Sequence, residues 1–266
     1  MKPEDIKCIG VIGGGIMGSG IAQTAIVAGY KVVLRDLADE ILEKAKSSMV
    51  DGRFGLKGGV ERGKITQEQM NQALANLTLT TKVEDLKDCD FVIEAIGVPK
   101  GQKKDLTGMG GGAGLEDKDL KKRVFAELDK IVKKSAILAS NTSYCTISDL
   151  AEAVGRKNLF LGMHFFSPAN IMKLVELIYT PDTSEEVMQV MEAVCKRLNK
   201  ISIRVKDVPG DTGFVANRIF QAVRKEARKI VEEGVTSPDD VDIAVRAGFN
   251  WPAGPFELSK GARGGW

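Results

Sequence analysis

Histidine is almost absent: the 266 residues contain one, His164. A histidine metal cluster is thereby excluded, no metal site is expected, and imidazole acid–base chemistry supplied by this chain must use that residue. The four cysteines, Cys8, Cys89, Cys145 and Cys195, form no C-x-x-C pair. Neither a disulfide framework nor a zinc site is implied. No apolar run approaches the ~18 residues that span a bilayer. The start, Met1 to Lys7, is charged without an apolar signal core, and lipidation motifs are missing. A cytoplasmic, reducing setting without a membrane partner is the expectation. Charge of one sign is also scarce: 38 Lys and Arg against 36 Asp and Glu leave +2. That balance excludes a generalised polyanion binder, so no nucleic acid partner is expected.

What is present is globular: 43% hydrophobic and 28% charged residues, in a length that suits one large domain or two smaller ones. Short apolar runs at Ile6 to Ile12, Lys31 to Leu34, Phe91 to Ile96 and Ala136 to Ala139 read as strands. Amphipathic stretches at Ile16 to Ala28 and Asp39 to about Met49 read as helices between them. Such alternation predicts an α/β fold, a Rossmann-type domain with a largely parallel sheet and helices on both faces. Past Val208-Pro209-Gly210 the pattern turns helical, roughly Gly213 to Glu233 and Pro238 to Ala247, with a cap, a proline and two acids at Ser237 to Asp240. The expected division is residues 1–207 and a small, truncated-looking helical domain at 208–266. A stretch at about 97–114, with seven glycines in 18 residues, reads as a flexible loop.

Gly13-Gly14-Gly15-Ile16-Met17-Gly18 is a G-x-G-x-x-G that follows a strand and opens a helix. Gly13 makes the turn, Gly15 admits a pyrophosphate, and Gly18 lets the helix pack on the sheet. Anion binding at a helix N-terminus suits the phosphates. Asp36, 18 residues past Gly18 at the end of the next strand, would accept from a ribose hydroxyl and repel a 2′-phosphate. The reading is dinucleotide binding with NAD favoured over NADP, although Arg35 is adjacent. Such a turn also occurs in domains that bind FAD or nothing.

Downstream stand Asn141-Thr142-Ser143, then His164-Phe165-Phe166-Ser167-Pro168, then Lys173-Leu174-Val175-Glu176. His164 and Glu176 each lie at or in an apolar run. A bend through Pro168-Ala169-Asn170 can return the carboxylate to the imidazole, the arrangement of a base and its orienting group. A structural histidine and a surface glutamate would leave the same pattern.

The combination of Asn141-Thr142-Ser143, His164-Phe165-Phe166, Lys173-Leu174-Val175-Glu176 and Asn217-Arg218 resembles the short-chain L-3-hydroxyacyl-CoA dehydrogenase family. Further matching stretches, from Ile9 to Asp36 through Gly254 to Leu258, cover nearly the whole chain in family order. The resemblance implies reversible, NAD-dependent oxidation of an L-3-hydroxyacyl-CoA to a 3-ketoacyl-CoA. It implies His164 as general base, Glu176 on its other ring nitrogen, and Ser143 on the reacting oxygen, with Asn217 positioning that oxygen from the helical domain. Glu116, Lys121 and Asn141 are implied at the cofactor, Ser167 at the substrate, and lysines between Lys44 and Lys64 at CoA, with Lys46 and Lys57 the choice. A homodimer through the helical domain is a further expectation. Two departures stand out. The family's second glutamate falls four positions after its first; here Glu116 is 22 past Glu94. The helical domain also stops eight residues after Leu258. A related sugar-acid or free hydroxy-acid dehydrogenase, and a non-catalytic NAD-binding module of a larger protein, are the alternatives.

Overall fold

The computed structural model describes residues 2–97, 116–209 and 213–259. These fall into two compact units, residues 2–97 with 116–209, and residues 213–259. The glycine-rich stretch expected as a loop lies, apart from Gly97, outside the described residues.

The first unit runs β1 (Cys8–Ile12), α1 (Ile16–Val27), β2 (Lys31–Arg35), α2 (Asp39–Asp51), α3 (Leu56–Glu61), α4 (Gln67–Ala75), β3 (Leu77–Thr80) and β4 (Phe91–Glu94). It continues with α5 (Lys118–Ile131), β5 (Ile137–Ser140), α6 (Ile147–Ala151), β6 (Phe160–Phe165), β7 (Leu174–Tyr179), α7 (Glu185–Arg197) and β8 (Ile201–Lys206). The strands form one sheet in the order β3-β2-β1-β4-β5-β6-β7-β8. Every pairing is parallel except β6 with β7. Parallel strands need long crossovers, and the crossover helices cover the faces. Hence β4, β5 and β6 are buried at every residue, and it is these central strands that read as apolar runs. The edge strands β3 and β8 are largely half-buried or exposed. Leu-Thr-Leu-Thr and Ile-Ser-Ile-Arg-Val-Lys accordingly carry no such run and escape the sequence reading.

In the second unit, α8 (Ala216–Glu232), α9 (Pro238–Phe249) and α10 (Pro255–Ser259) follow one another. The first helix starts later than its sequence pattern suggests, because Gly213 and Phe214 both take positive φ, 85° and 49°, which a right-handed helix cannot continue. The start of α9 is capped as expected: Ser237 Oγ accepts from Asp240 N. Buried Asp242 accepts from the amides of Phe256 and Glu257 and so caps α10.

The β6–β7 connection is held by Lys200, which lies between α7 and β8. Its Nζ donates to the carbonyls of Ala169 at 2.5 Å and Met172 at 2.7 Å. Only 8% of the residue is exposed. Burial, with the neighbouring Lys173 charge adding to it, pushes the Lys200 ammonium down to about 8. Between about pH 8 and the ordinary lysine value of 10.5, the unfolded chain therefore holds more protons than the folded one. Stability contributed at this site rises with pH across that window and is lost below it. Relative to Lys200→Met, the wild-type urea midpoint is expected to climb from pH 8 to 10.5; a pH-independent difference would show that the buried amine does not titrate there.

Candidate active site

Strand β1 delivers the glycine turn. Gly13 has φ +102°, and a Cβ there would lie 2.6 Å from the Ala95 carbonyl oxygen, so glycine is required. A Cβ at Gly18 would collide with the Gly13 carbonyl oxygen, whereas one at Gly15 would enter open space. Gly15 is the N-cap of α1 and places no side chain over the first amides of that helix. Ile16, the first helical residue, is 79% exposed, and Met17 next to it is half-buried. The turn therefore presents an uncapped helix N-terminus beside a cradle that a side chain would fill, which fits a dinucleotide pyrophosphate. Half-buried Asp36 closes the turn from β2: its carboxylate accepts from Gly14 N at 2.5 Å and Leu37 N at 2.6 Å. The adjacent Arg35 is turned to the Thr81 carbonyl.

At the other end of the site, β6 and β7 set His164 directly opposite Glu176. His164 Nδ1 lies 2.8 Å from Glu176 Oε2, and its Nε2 lies 3.0 Å from Ser143 Oγ. His164 is 3% and Glu176 0% exposed. Opposite an ionised carboxylate, which only accepts, a neutral ring would carry its proton on Nδ1 and leave Nε2 as an acceptor. Phe166 packs on the imidazole, with ring centroids 4.6 Å apart. Ser167, next in the chain, is exposed. The carboxylate thus returns by cross-strand register after the Pro168-Ala169-Asn170 turn, as the spacing allows.

Ser143 is held in place by a buried charge network. Glu94, at the end of β4, accepts from Ser140 Oγ at 2.6 Å and from Ile96 N at 2.6 Å. Lys121 Nζ donates to Glu94 Oε1 at 2.5 Å and to the Ile96 carbonyl at 3.1 Å. Glu116 lies 3.9 Å from the same ammonium. Glu116 accepts from Thr142 Oγ1 and, at 2.8 Å, from Ser143 N. Burial opposes the Lys121 charge, but the Glu94 and Glu116 carboxylates overcome it and hold the ammonium above the ordinary lysine value. Asn141 joins this turn to β6, its Oδ1 accepting from Phe165 N at 2.8 Å. Glu116, Lys121, Asn141, Ser143, His164 and Glu176 therefore form one connected cluster. Asn217 belongs to the second unit, where it stands in the first turn of α8.

A cavity of about 300 Å³ opens in the first unit between α1, the start of α3 and the β6–β7 loop. Arg62, Lys64, Lys173, Arg197 and Lys200 line it together with Phe54, and no carboxylate is among the described lining residues. Lys46 and Lys57 are not part of it: Lys46 is exposed on α2, and Lys57 pairs with Asp51 at 2.5 Å. Arg62 and Lys64 lie within the basic stretch that the sequence singles out. Lys173, Arg197 and Lys200 join them only through the fold, so spacing carried no signal for them. Among the described residues no three His, Cys, Asp or Glu side chains gather as a metal site, and no helix is long and apolar enough to cross a membrane.

Residues 8–107 and 112–208 match the model of the 3-hydroxyacyl-CoA dehydrogenase NAD binding domain, and residues 213–262 match that family's C-terminal domain. The chain is 37% identical over 256 residues to the mitochondrial hydroxyacyl-coenzyme A dehydrogenase of Rattus norvegicus, covering 95% of this chain and 75% of that protein. It is 37% identical over 250 residues to a probable 3-hydroxybutyryl-CoA dehydrogenase of Deinococcus radiodurans, covering 94% and 81%. Among solved structures, (S)-3-hydroxybutyryl-CoA dehydrogenase from Ralstonia eutropha superposes with a TM-score of 0.83 at 36% identity, over 95% of this chain and 81% of that one. With a Rossmann-type NAD-binding domain followed by helices, this chain belongs to the 3-hydroxyacyl-CoA dehydrogenase family.

Proposed function

We propose that the chain oxidises an L-3-hydroxyacyl-CoA reversibly to the 3-ketoacyl-CoA, with His164 as general base. The observation that carries this reading is the buried Glu176–His164–Ser143 chain, with contacts of 2.8 and 3.0 Å. NAD, when bound, supplies the hydride acceptor. His164 Nε2 takes the substrate hydroxyl proton, and Ser143 Oγ, on the same nitrogen, marks where the reacting oxygen sits. Glu176 fixes the Nδ1–H tautomer and stabilises the imidazolium that forms. The family resemblance assigns Asn217, in the first turn of α8, to the positioning of that oxygen. Gly13, Gly15, Ile16, Met17 and Gly18 hold the dinucleotide phosphates, and Asp36 selects the ribose bearing a free 2′-hydroxyl.

We take the inserted stretch, which apart from Gly97 lies outside the described residues, to play no part in this chemistry. Lys121 binds Glu94 and Ile96 just before the stretch and neighbours Glu116 just after it, so its two ends are pinned together. The phosphates of CoA take the cationic cavity at Arg62 and Lys64, in preference to Lys46 and Lys57. Ser167 is the exposed substrate contact. A cytoplasmic setting agrees with four cysteines that are all free thiols. A homodimer through the helical unit agrees with its exposed Ile219, Ile243 and Phe249.

NADH oxidation with acetoacetyl-CoA, and none with free acetoacetate, is the expected result of the direct assay; equal turnover of both would favour a free hydroxy-acid dehydrogenase, and NADH binding without turnover a non-catalytic module. His164→Gln should lower kcat by about 10² to 10⁴ while NADH affinity persists, and wild-type turnover in that variant would remove His164 as the base. Asp36→Ala should shift the NADH to NADPH preference by roughly tenfold, about 1.4 kcal/mol, read from the ratio of kcat/KM values. Arg62→Ala with Lys64→Ala should raise KM for acetoacetyl-CoA roughly tenfold at low salt, leaving KM for NADH unchanged; an effect confined to Lys46 and Lys57 variants would move the CoA site to them.

A further inference from the structure

Outside the site, at the amino ends of two central strands, two thiols lie together. Cys8 opens β1, and Cys89 stands two residues before β4 on the neighbouring strand path. Their sulfurs are 3.5 Å apart. Cys8 is half-buried, and Cys89 is fully buried beneath it. The backbone holds them in place, because Asp90 Oδ2 accepts from both Lys7 N and Cys8 N at 2.9 Å. Lys133 in turn donates to Asp90 Oδ1 at 2.6 Å. We propose that Cys8 and Cys89 are a reactive dithiol, which hydroperoxides oxidise to an intramolecular disulfide with Cys8 as the attacking and Cys89 as the resolving thiol.

Geometry and charge agree on that division. Only Cys8 is reachable by a solute, while Cys89 is placed to meet whatever forms on it. The hydrogen bond from Cys89 lowers Cys8 below the ordinary thiol value, against burial and Asp90, with Lys133 and Lys31 assisting. The same hydrogen bond and burial push Cys89 up. Exposure makes Cys8 the attacking group: its thiolate is the nucleophile, and the Cys89 thiol 3.5 Å away can donate to it. Cys8 Sγ attacks one peroxide oxygen; the S–O bond forms, the O–O bond breaks, and the other oxygen leaves as water or an alcohol after taking a proton. Cys89 Sγ then attacks Cys8 Sγ; the S–S bond forms, the S–O bond breaks, and the departing hydroxide takes the Cys89 proton. Two thiols lose two electrons and two protons, and the peroxide gains them. The sulfurs close by about 1.5 Å to reach the ~2.05 Å bond, a movement open to the half-exposed Cys8 side chain.

The full chain is treated with a small excess of hydrogen peroxide, then denatured, alkylated and mapped by peptide mass spectrometry. The expected product is a linked Cys8–Cys89 peptide pair, lighter by about 2 Da than the two reduced peptides together, that dithiothreitol separates. Cys145 and Cys195, buried thiols pushed up to about 11 and about 12, should stay alkylatable and serve as internal controls. In Cys89→Ser, Cys8 should instead trap dimedone as a sulfenic acid. The proposal is overturned if wild-type Cys8 oxidises to a dimedone adduct or sulfinic acid without the cross-link, or if Cys145 and Cys195 react as fast as Cys8.

Discussion

His164 meets Glu176 because β7 runs antiparallel to β6, in a sheet whose other pairings are parallel. Opposed residues in an antiparallel pair have close β-carbons on one face, so the register delivers imidazole and carboxylate to each other without help from a loop. Everything else in the candidate site is arranged around that ladder. Asn141 ties the end of β5 to Phe165, one residue past the histidine. Lys200 ties down the turn from which β7 departs. A one-residue slip would turn Glu176 to the opposite face, and both ties oppose it.

A buried carboxylate is expensive unless it is paired and hydrogen-bonded. Glu94 meets that requirement with Lys121, Ser140 and the Ile96 amide. Those partners lie on three segments that arrive from different parts of the chain. The network therefore acts as a knot, joining the end of β4, the start of α5 and the turn that carries Ser143. It explains how Glu116, 22 residues past Glu94 in the sequence, stands on the Ser143 amide. Glu116 acts on Ser143 by holding its backbone, so the serine hydroxyl stays aimed at His164.

The central strands were legible because they are buried on both faces and read as unbroken apolar runs. The edge strands β3 and β8 were not, because edge positions face solvent and carry Thr, Ser, Arg and Lys. His164 and Glu176 were legible as residue types in apolar runs, but their contact required knowing that β7 turns back. The cationic cavity was the least legible part. Lys173, Arg197 and Lys200 are scattered over 28 residues and converge with Arg62 and Lys64 only because α7 and the β6–β7 loop pack beside α1 and α3. Lys57, in the same basic stretch of sequence, pairs with Asp51 at the surface and lies outside that cavity.

The two ends of the parallel strands are chemically unlike. At the carboxyl ends of β1, β4, β5 and β6 stand Gly13, Glu94, Asn141 and His164, next to or within the last residues of their strands. Crossover helices begin there, and their unsatisfied amides favour anions. At the amino ends of β1 and β4 the helix dipole argument runs the other way, and the groups present are thiols beside Asp90 and Lys133. An oxidation confined to Cys8 and Cys89 therefore acts on the frame at its far end. It would link two strands that already pair in register from Ile9 and Phe91 onward, so the glycine turn that β1 delivers need not move. The proposed thiol chemistry and the glycine turn thus sit at opposite ends of a strand that is paired on both sides, β1 with β2 and β4.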